Sequence, residues 1–312
     1  MMRTFLVTGA AGFIGSHIAE ALVRRGDRVR VLDNLSTGKL ENMDSFRDRI
    51  EFLEGDVTDP DAVGRAVEGV DCVFHEAALA SVPASLERPL ASHAACTTGV
   101  VTVLDAARRA GVRRVVYAAS SAAYGDRPTA SKRETDLPNP LSPYAAAKLA
   151  GELYCQAFYS SFGLETVAIR YFNVFGPRQD PHSQYSAVIP LFITAMLAGR
   201  SPVIYGDGHQ SRDFSFVANV VHANLLAADA PNVAGRTINA ADGRSIDLLK
   251  LLEALNRQLG LKVQPKFEPP RAGDVRESQA DITLARTLLK YEPQVDFEEG
   301  LKRSIDYYRR IA

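Results

Sequence analysis

The sequence has few cysteines, no long apolar run and almost no net charge. Its three cysteines, Cys72, Cys96 and Cys155, are isolated, odd in number and without Cys-x-x-Cys spacing, which argues against a disulfide framework or a zinc site. Residence in the cytoplasm is therefore the simplest expectation. We find no apolar run close to the roughly 18 residues that a bilayer requires, so no membrane partner is expected.

The numbers of positively and negatively charged residues are almost equal, and the overall composition is ordinary. The 36 Lys and Arg residues against 37 Asp and Glu residues give a net charge of −1, so a general electrostatic attraction to nucleic acid or anionic lipid is not expected. Of the 312 residues, 46% are hydrophobic and 23% charged, values typical of a globular protein with one large or two modest domains.

Strand and helix signals alternate through the first half of the chain. This alternation favours a parallel sheet covered on both faces and predicts a doubly wound α/β (Rossmann) nucleotide-binding fold. The predicted strands are Thr4–Thr8, Arg28–Leu32, Glu51–Leu53, Cys72–His75, Val115–Ala119 and Thr166–Tyr171. The predicted helices are Phe13–Arg25, Asp61–Glu68, a longer one near Leu90–Arg109, and Pro143–Phe162.

After Tyr171 the alternation stops, and prolines interrupt short elements. This pattern predicts a smaller, mixed C-terminal domain that forms a lid or a substrate wall. The segment Phe214–Asn239 reads as a helix and then a strand, so it is a candidate to return to the main sheet. We expect residues 1–171 plus about 213–241 to form the nucleotide-binding domain, and residues 172–212 plus 242–312 to form the substrate domain.

Three glycines lie between the first strand and the first helix, in the stretch TGAAGFIG. Glycines at this spacing allow a tight turn and a close approach of backbone N–H groups to a pyrophosphate, which also meets the positive end of the helix. A glycine turn can instead serve only to pack a helix on a strand, but the context favours a dinucleotide site. The residues expected at the cofactor here are Gly9, Gly12, Phe13, Ile14 and Gly15.

The second strand ends in Asp33, roughly 20 residues beyond the glycines, where this fold places an acid on the adenosine ribose. A carboxylate there accepts hydrogen bonds from both ribose hydroxyls and repels a 2′-phosphate, which favours NAD over NADP. The alternative for Asp33 is a helix or turn cap. Further candidates for the adenosine end are Asn34, Ser36, Thr37, Gly38, Asp56 and Val57.

Tyr144 and Lys148 lie one turn apart at the start of a predicted helix. A phenol titrates at about pH 10 and is a poor base at neutral pH. A lysine one turn away brings positive charge to the phenol and favours its ionised form. An exposed i,i+4 contact is the alternative, but Ser120 ends a parallel strand, at the edge where this fold binds ligands. Ser120, Tyr144 and Lys148 are therefore predicted to form a reactive end.

These motifs, with the blocks NPLSPYAAAK, RYFNVFGPRQDP, YGDGHQSRDF and RAGDVRESQAD, resemble the extended short-chain dehydrogenase/reductase family over essentially the full length. Within it the chain is similar to the UDP-hexose 4-epimerases, nearest those acting on UDP-N-acetylglucosamine. The resemblance implies that NAD takes a hydride from C4 of the sugar and returns it to the opposite face of a 4-keto sugar. It implies that Tyr144 removes the 4-hydroxyl proton, that Lys148 favours the phenolate and holds the nicotinamide ribose, and that Ser120 hydrogen-bonds the 4-oxygen.

The same resemblance implies a set of binding residues. Ala77, Ala78, Cys96 and Tyr171 are expected to line the cofactor. Arginines of the SRDF and RAGD blocks are expected to bind the diphosphate, with surface ion pairs as the alternative for each. Ser278 is expected to leave room for an acetamido group that a tyrosine would exclude. The substrate candidates are Ser121, Asn173, Val188, Tyr205, Arg212, Arg271, Asp274 and Ser278.

Some positions depart from the patterns of related enzymes. Ser121 and Ala122 stand where dehydratases carry an Asp–Glu pair and decarboxylases a Glu, which disfavours elimination and decarboxylation. Cys96 stands where hexose epimerases often have asparagine, and Ala80 replaces a lysine, so the preferred sugar stays open. The rivals are a UDP-glucuronate decarboxylase or epimerase, a dehydratase, a nucleotide-sugar reductase, and a non-catalytic NAD-binding regulator that would need no base.

Two further expectations concern metals and assembly. His75 lies beside Glu76, but without further clustered ligands a structural histidine is expected and no metal. The helices near Leu90–Arg109 and Pro143–Phe162 have more apolar surface than one sheet face uses. In the family such helices pair with their copies in a second subunit, so a homodimer is expected, with burial inside the monomer as the alternative.

Overall fold

The structure is a computed structural model that describes residues 2–127, 129, 131–181, 187–270 and 276–311. The strands are β1 Thr4–Thr8, β2 Arg28–Asp33, β3 Ile50–Glu54, β4 Cys72–His75, β5 Arg114–Ser120, β6 Glu165–Tyr171, β7 Val174–Phe175, β8 Val203–Tyr205, β9 Ser211–Arg212, β10 Ser215–Phe216, β11 Arg236–Ala240, β12 Ile246–Asp247, β13 Lys266–Glu268 and β14 Glu277–Ser278.

The helices lie between these strands, with a π-helical turn at Ala94–Thr98 and short 3-10 turns at Leu40–Met43, Arg47–Arg49 and Ser121–Tyr124. The α-helices are α1 Phe13–Arg25, α2 Pro60–Val67, α3 Val82–Glu87, α4 Pro89–His93, α5 Gly99–Arg109, α6 Pro143–Phe162, α7 Val188–Leu197, α8 Val217–Asp229, α9 Leu248–Leu259, α10 Thr283–Leu289 and α11 Phe297–Ile311.

Seven parallel strands form the main sheet in the order β11-β6-β5-β4-β1-β2-β3. Successive side chains of a strand point to opposite faces, so Phe5 and Val7 are buried in the core on one face and Leu6 in the core on the other. The strand order reverses at β1, between β2 and β4. In such sheets a crevice opens at the carboxyl ends of the strands at this point.

The predicted fold class, a doubly wound sheet followed by a smaller mixed region, is confirmed. Thr4–Thr8, Cys72–His75, Phe13–Arg25 and Pro143–Phe162 have the predicted bounds, and the other predicted strands and α2 differ by one residue at one or both ends. The segment after Phe214 returns to the main sheet, because β11 pairs with β6. The boundaries between the two domains stay a prediction.

The smaller region is built from short strand pairs: β7 with β10, β8 with β13, and β9 between β12 and β14. Asp213 is a fully buried carboxylate between β9 and β10. It accepts three backbone N–H hydrogen bonds of 3.0–3.1 Å, two from residues that follow β11 and one from a residue that follows β14. The donors are Asp242, Gly243 and Ala280.

The expectation that no segment is apolar enough to cross a membrane needs a correction. Pro89–Arg109, which comprises α4, the π-helical turn and α5, is long and apolar enough by length and composition, with 21 residues. This continuous run packs against α2 and α6. Because the core helix of a globular protein passes the same test, the finding alone is weak evidence for a membrane span.

Helix α6 has clear start and stop signals. Ser142 caps its first turn, because the hydroxyl oxygen accepts the Ala145 N–H at 3.2 Å, and Pro143 occupies the first helical position. Gly163 ends the helix in the left-handed conformation, with φ of 73°. The sequence therefore sets the register of this helix, and with it the direction of the side chains in its first two turns.

Helix α6 packs tightly on β5 and β6. A Cβ atom at Gly151 would overlap the hydroxyl of Tyr117, which is fully buried and donates to the Lys148 carbonyl at 3.3 Å. Glu152 accepts two hydrogen bonds, of 2.9 and 2.6 Å, from the Arg170 guanidinium, and both side chains are almost completely buried. These contacts hold the helix against the carboxyl half of the sheet.

We expect Gly151→Ala to lower the free energy of unfolding by about 1–3 kcal/mol, because the added methyl group overpacks a site closed by the Tyr117 ring. Gly64→Ala is the matched control. Gly64 is exposed within α2 with open space at its Cβ position, so alanine there should stabilise the protein by about 0.5–1 kcal/mol. Chemical denaturation measures both values, and equal stabilities of the two variants would contradict the close packing of α6.

Candidate active site

A cavity of about 410 Å³ opens at the carboxyl ends of the central strands, where the strand order reverses. The loop after β1, the ends of β2, β4 and β5, and the first turns of α6 form its walls. The predicted cofactor residues that line it are Gly9, Gly12, Phe13, Ile14, Gly15, Asp33, Asn34, Ser36, Thr37, Gly38, Asp56, Val57, Ala77, Ala78, Tyr144, Lys148 and Tyr171. Their contact with a cofactor stays a prediction.

The glycine loop forms the floor between the two ends of the cavity. Gly9 has φ of 70°, and a Cβ atom there would lie 2.6 Å from the Ala77 backbone nitrogen, so only glycine fits. Gly12 precedes α1 and has no side chain to cover the N-terminus of that helix, which opens onto the cavity through Phe13 and Ile14. A diphosphate can therefore approach the backbone N–H groups at the positive end of α1.

One end of the cavity is acidic and rigid. The Asp33 carboxylate accepts the N–H of Ala11 at 2.9 Å and that of Leu35 at 2.9 Å, while burial raises its pKa. The Asn34 amide donates to Asp56 at 2.6 Å. These bonds hold two carboxylates at the ends of β2 and β3, where they can accept hydrogen bonds from ribose hydroxyls. Asp33 also serves as the turn cap that was its alternative role.

The opposite end of the cavity holds Tyr144 and Lys148 on one wall. The Lys148 ammonium group is buried, donates to the Ala118 carbonyl at 2.7 Å and lies 5.1 Å from the centre of the Tyr117 ring. Tyr144 is partly exposed to the cavity, one helical turn before Lys148. This wall can bring a fixed positive charge and an accessible phenol to a bound ligand.

Ser120 ends β5 directly after Ala119, which lines the cavity, and its hydroxyl oxygen accepts the Ala122 N–H at 3.2 Å. Ser121 begins the following 3-10 turn and is partly exposed. Tyr124, at the end of that turn, is buried and donates to the Asn239 side chain at 2.7 Å, so its role is structural.

Two other candidates lie behind the cavity wall. The thiol of Cys96 is buried, with its sulfur 3.9 Å from the Leu79 carbonyl oxygen; Leu79 itself lines the cavity. His75 is buried with Nδ1 2.7 Å from the Thr8 hydroxyl, and burial lowers its pKa to about 3, as expected for a structural histidine. Among the residues that the structure describes, no group of three or more side chains could hold a metal ion.

The pairing of β9 with β14 brings two predicted substrate residues together, because Ser278 is the register partner of Arg212. Both are partly buried. One guanidinium nitrogen of Arg212 donates to the Ser211 carbonyl at 2.8 Å. This strand pair belongs to the smaller region and lies apart from the walls of the cofactor cavity.

The remaining substrate candidates are spread over the smaller region. Asn173 follows β6, Val188 begins α7 and Tyr205 ends β8, and all three are partly buried. Arg271 and Asp274 lie outside the described residues.

Two charged residues that line the cavity were absent from the sequence-based site candidates. Glu76 directly follows β4, and burial raises the pKa of its carboxyl to about 7. Its position after a strand that ends at the crevice could have identified it, because every such position faces the ligand edge of the sheet. Arg88 precedes α4 and is exposed. No motif in the sequence marked it.

The chain matches the family model described as NAD dependent epimerase/dehydratase family over residues 5–241. It is 40% identical over 312 residues to the UDP-glucose 4-epimerase of Mycolicibacterium smegmatis, with 99% of each chain covered. Among solved structures it is similar to the UDP-N-acetylglucosamine 4-epimerase from Methanobrevibacter ruminantium, with a TM-score of 0.96 and 40% identity over 100% of this chain and 99% of that one.

A further solved structure carries the cofactor. The Thermus thermophilus UDP-glucose 4-epimerase, in complex with NAD, has a TM-score of 0.89 and 36% identity, with 99% of this chain and 100% of that one covered. NAD is therefore the cofactor. The glycine loop fits the diphosphate of NAD, because a side chain at Gly9 would clash with the backbone at Ala77. The acidic end at Asp33 fits the adenosine ribose.

We expect Asp33→Asn to weaken NAD binding and to reduce the preference for NAD over NADP, because the variant lacks the negative charge that repels a 2′-phosphate. The dissociation constant for NADP divided by that for NAD should fall by about tenfold. This is the size expected for the loss of one charge interaction of about 1–2 kcal/mol. Equilibrium titration with each cofactor measures the ratio.

The matched control is Asp59→Asn. Asp59 is exposed and caps α2, and asparagine caps a helix equally well, so the ratio should stay at the wild-type value. An unchanged ratio in Asp33→Asn would show that this end of the cavity does not receive the adenosine ribose.

Proposed function

We propose that this protein, which belongs to the NAD dependent epimerase/dehydratase family, is a 4-epimerase that interconverts UDP-GlcNAc and UDP-GalNAc, and also UDP-Glc and UDP-Gal. The observation that carries the proposal is the shared wall of Tyr144 and Lys148 at one end of a cavity whose other end is lined by Asp33. The acidic end suits an adenosine ribose. The nicotinamide and the sugar would therefore bind at the opposite end, beside the Tyr144 phenol and the Lys148 ammonium group.

The residues of this wall divide the chemistry between them. When bound, NAD accepts a hydride from C4 of the sugar and returns it to either face of the 4-keto sugar. Tyr144 removes the 4-hydroxyl proton and later gives it back. Lys148, held by the Ala118 carbonyl one helical turn after Tyr144, places a positive charge on the same wall of the cavity. Ser120, at the end of β5, hydrogen-bonds the 4-oxygen.

The reaction proposed is oxidation and reduction at C4 without elimination. Ser121 and Ala122 begin the 3-10 turn after β5, where the related dehydratases and decarboxylases carry carboxylates. A hydroxyl and a methyl group cannot serve as the acid that expels the 6-hydroxyl. This difference supports an epimerase over a dehydratase or a UDP-glucuronate decarboxylase.

The pairing of Arg212 with Ser278 supports the acceptance of N-acetylated sugars. Arg212 is a candidate for the diphosphate, so the small side chain opposite it leaves room beside the attached sugar. The similar Methanobrevibacter enzyme is a UDP-N-acetylglucosamine 4-epimerase, and the similar Mycolicibacterium and Thermus enzymes are UDP-glucose 4-epimerases. Their likeness to this chain supports both sugar pairs as substrates.

We also propose a cytoplasmic homodimer. Leu86 and Leu90 are 63% and 84% exposed, and Leu153 and Phe162 of α6 are 58% and 57% exposed. The helices that carry them, α3, α4 and α6, contact one another. A second copy of the chain would cover this apolar surface. The three cysteines are all free and buried, which suits a reducing compartment.

We expect Tyr144→Phe to lower turnover by about 10²–10⁴-fold, because phenylalanine keeps the ring and removes the base. NAD binding should stay close to the wild-type value. NMR follows the interconversion of UDP-GlcNAc and UDP-GalNAc with no added cofactor. Tyr159→Phe, an exposed position on the same helix, is the matched control and should retain full turnover.

Wild-type turnover in Tyr144→Phe would rule out this tyrosine as the base. If the wild-type protein interconverts no UDP-hexose, the proposed function fails and a non-catalytic NAD-binding role is favoured.

We expect Ser278→Tyr to abolish turnover of the N-acetylated pair selectively, because the larger ring fills the space for the acetamido group. Turnover of UDP-Glc and UDP-Gal should fall no more than a few-fold. Ser278→Ala, which adds no volume, should retain both activities. Parallel NMR assays on the two sugar pairs give the comparison, and equal losses on both pairs would refute the pocket argument.

A further inference from the structure

Three side chains from separate parts of the fold meet at one wall of the cofactor cavity. The Tyr171 hydroxyl lies 2.7 Å from Oε1 of Glu76 and 3.0 Å from Oδ1 of Asn224. Glu76 follows β4, Tyr171 ends β6 and Asn224 lies in α8. Glu76 and Tyr171 line the cavity, and Asn224 is fully buried behind them.

The protons available to this cluster can be counted. The Asn224 amide nitrogen donates to the Val220 carbonyl at 2.8 Å, which turns the amide oxygen toward Tyr171. A phenol carries one proton and can donate to only one of two acceptors. If Glu76 were ionised, one of the two close oxygen–oxygen contacts would have no proton in it. Such a contact is costly away from water.

A proton on Glu76 removes this conflict. Glu76 then donates to the Tyr171 oxygen, and Tyr171 donates to the Asn224 oxygen. Each of the three contacts in the row, from the carboxyl to the Val220 carbonyl, then holds one proton. The geometry therefore favours the neutral carboxyl.

The surroundings of Glu76 agree with this count. Burial raises its pKa to about 7, against the opposing effects of the Tyr171 hydroxyl and the Lys148 ammonium group. Lys148 from α6 and Tyr171 from β6 are the titratable groups that face it, and Asn224 from α8 is uncharged. Burial and the neighbouring Glu76 raise the pKa of Tyr171 far above its ordinary value, so the phenol keeps its proton.

We propose that Glu76 keeps a proton up to near-neutral pH, loses it as the solution becomes alkaline, and is a positioning residue that holds Tyr171 in the wall of the cofactor cavity. This inference rests on the proposed function in one respect, that the end of the cavity with Tyr144 and Lys148 receives the nicotinamide. An ionised Glu76 would take the single Tyr171 hydrogen bond and leave the Tyr171 and Asn224 oxygens 3.0 Å apart with no proton between them. It would also bring negative charge to this end, which favours the positively charged oxidised nicotinamide over the neutral reduced one.

The first test uses the protein without cofactor. The pKa of Glu76 in the folded protein, about 7, is above the ordinary 4.5, so the folded state binds more protons between these values. Its contribution to stability is therefore full at low pH and falls as the pH rises through 7. Glutamine cannot ionise and still donates to Tyr171. We expect Glu76→Gln to match the wild type near pH 4, where both side chains are neutral in the folded and the unfolded protein, and to gain a melting-temperature advantage of roughly 5 °C by pH 8.5.

Two further variants complete this test. Glu54→Gln, at an exposed glutamate that ends β3, is the control. The difference between its melting temperature and that of the wild type should not change with pH. Glu76→Met removes both the ionisation and the hydrogen bond. The melting temperature of Glu76→Met should be lower than that of Glu76→Gln at every pH. Its difference from the wild-type melting temperature should nevertheless change with pH in the same direction as that of Glu76→Gln. The proposal would be overturned if the melting-temperature difference between the Glu76 variants and the wild type were constant across the pH range, or if it changed in the opposite direction.

The second test measures the affinity for oxidised and reduced cofactor by titration at pH 6 and pH 8.5. The preference of the wild type for the oxidised form should rise on the order of tenfold with pH, and that of Glu76→Gln should stay flat. Equal behaviour of the two proteins would overturn the positioning role at the cofactor, even if the stability test shows a protonated Glu76. Both tests hold or fail without any assay of sugar turnover, so a failure of the proposed function is recognised separately.

Discussion

The hydrogen bond from the buried Lys148 ammonium group to the Ala118 carbonyl is the interaction on which the site depends. It joins α6 to the end of β5 and fixes the charge at the ligand edge of the sheet. Tyr144 lies one turn earlier on the same helix and lines the same wall of the cavity. The close packing at Gly151 and the buried pair of Glu152 with Arg170 keep the helix in this position.

The cavity is electrostatically divided along its length. Carboxylates occupy one end, helix α1 presents its positive end in the middle, and a cation with an accessible phenol occupies the other end. A dinucleotide has the same order of groups: ribose hydroxyls, diphosphate and nicotinamide. The proton proposed for Glu76 keeps negative charge away from the end of the cavity that Lys148 and Tyr144 line.

The sequence predicts correctly those elements whose bounds are set by local features. Phe13–Arg25 and Pro143–Phe162 were predicted with their bounds, because caps, glycines and apolar spacing are local features. The strand pairs of the smaller region were missed, because two-residue strands have no periodicity to detect. The cluster around Tyr171 was also missed, because its members lie 95 and 53 residues away in sequence and meet only after the sheet forms.

In the proposed 4-epimerase reaction, the hydride removed at C4 is kept inside the protein and returned to the same carbon. The most direct measurement uses a UDP-sugar deuterated at C4, incubated with the purified protein in ordinary water and analysed by NMR. The proposed reaction predicts that the epimer formed retains deuterium at C4. Loss of that label to solvent during epimerisation would contradict it.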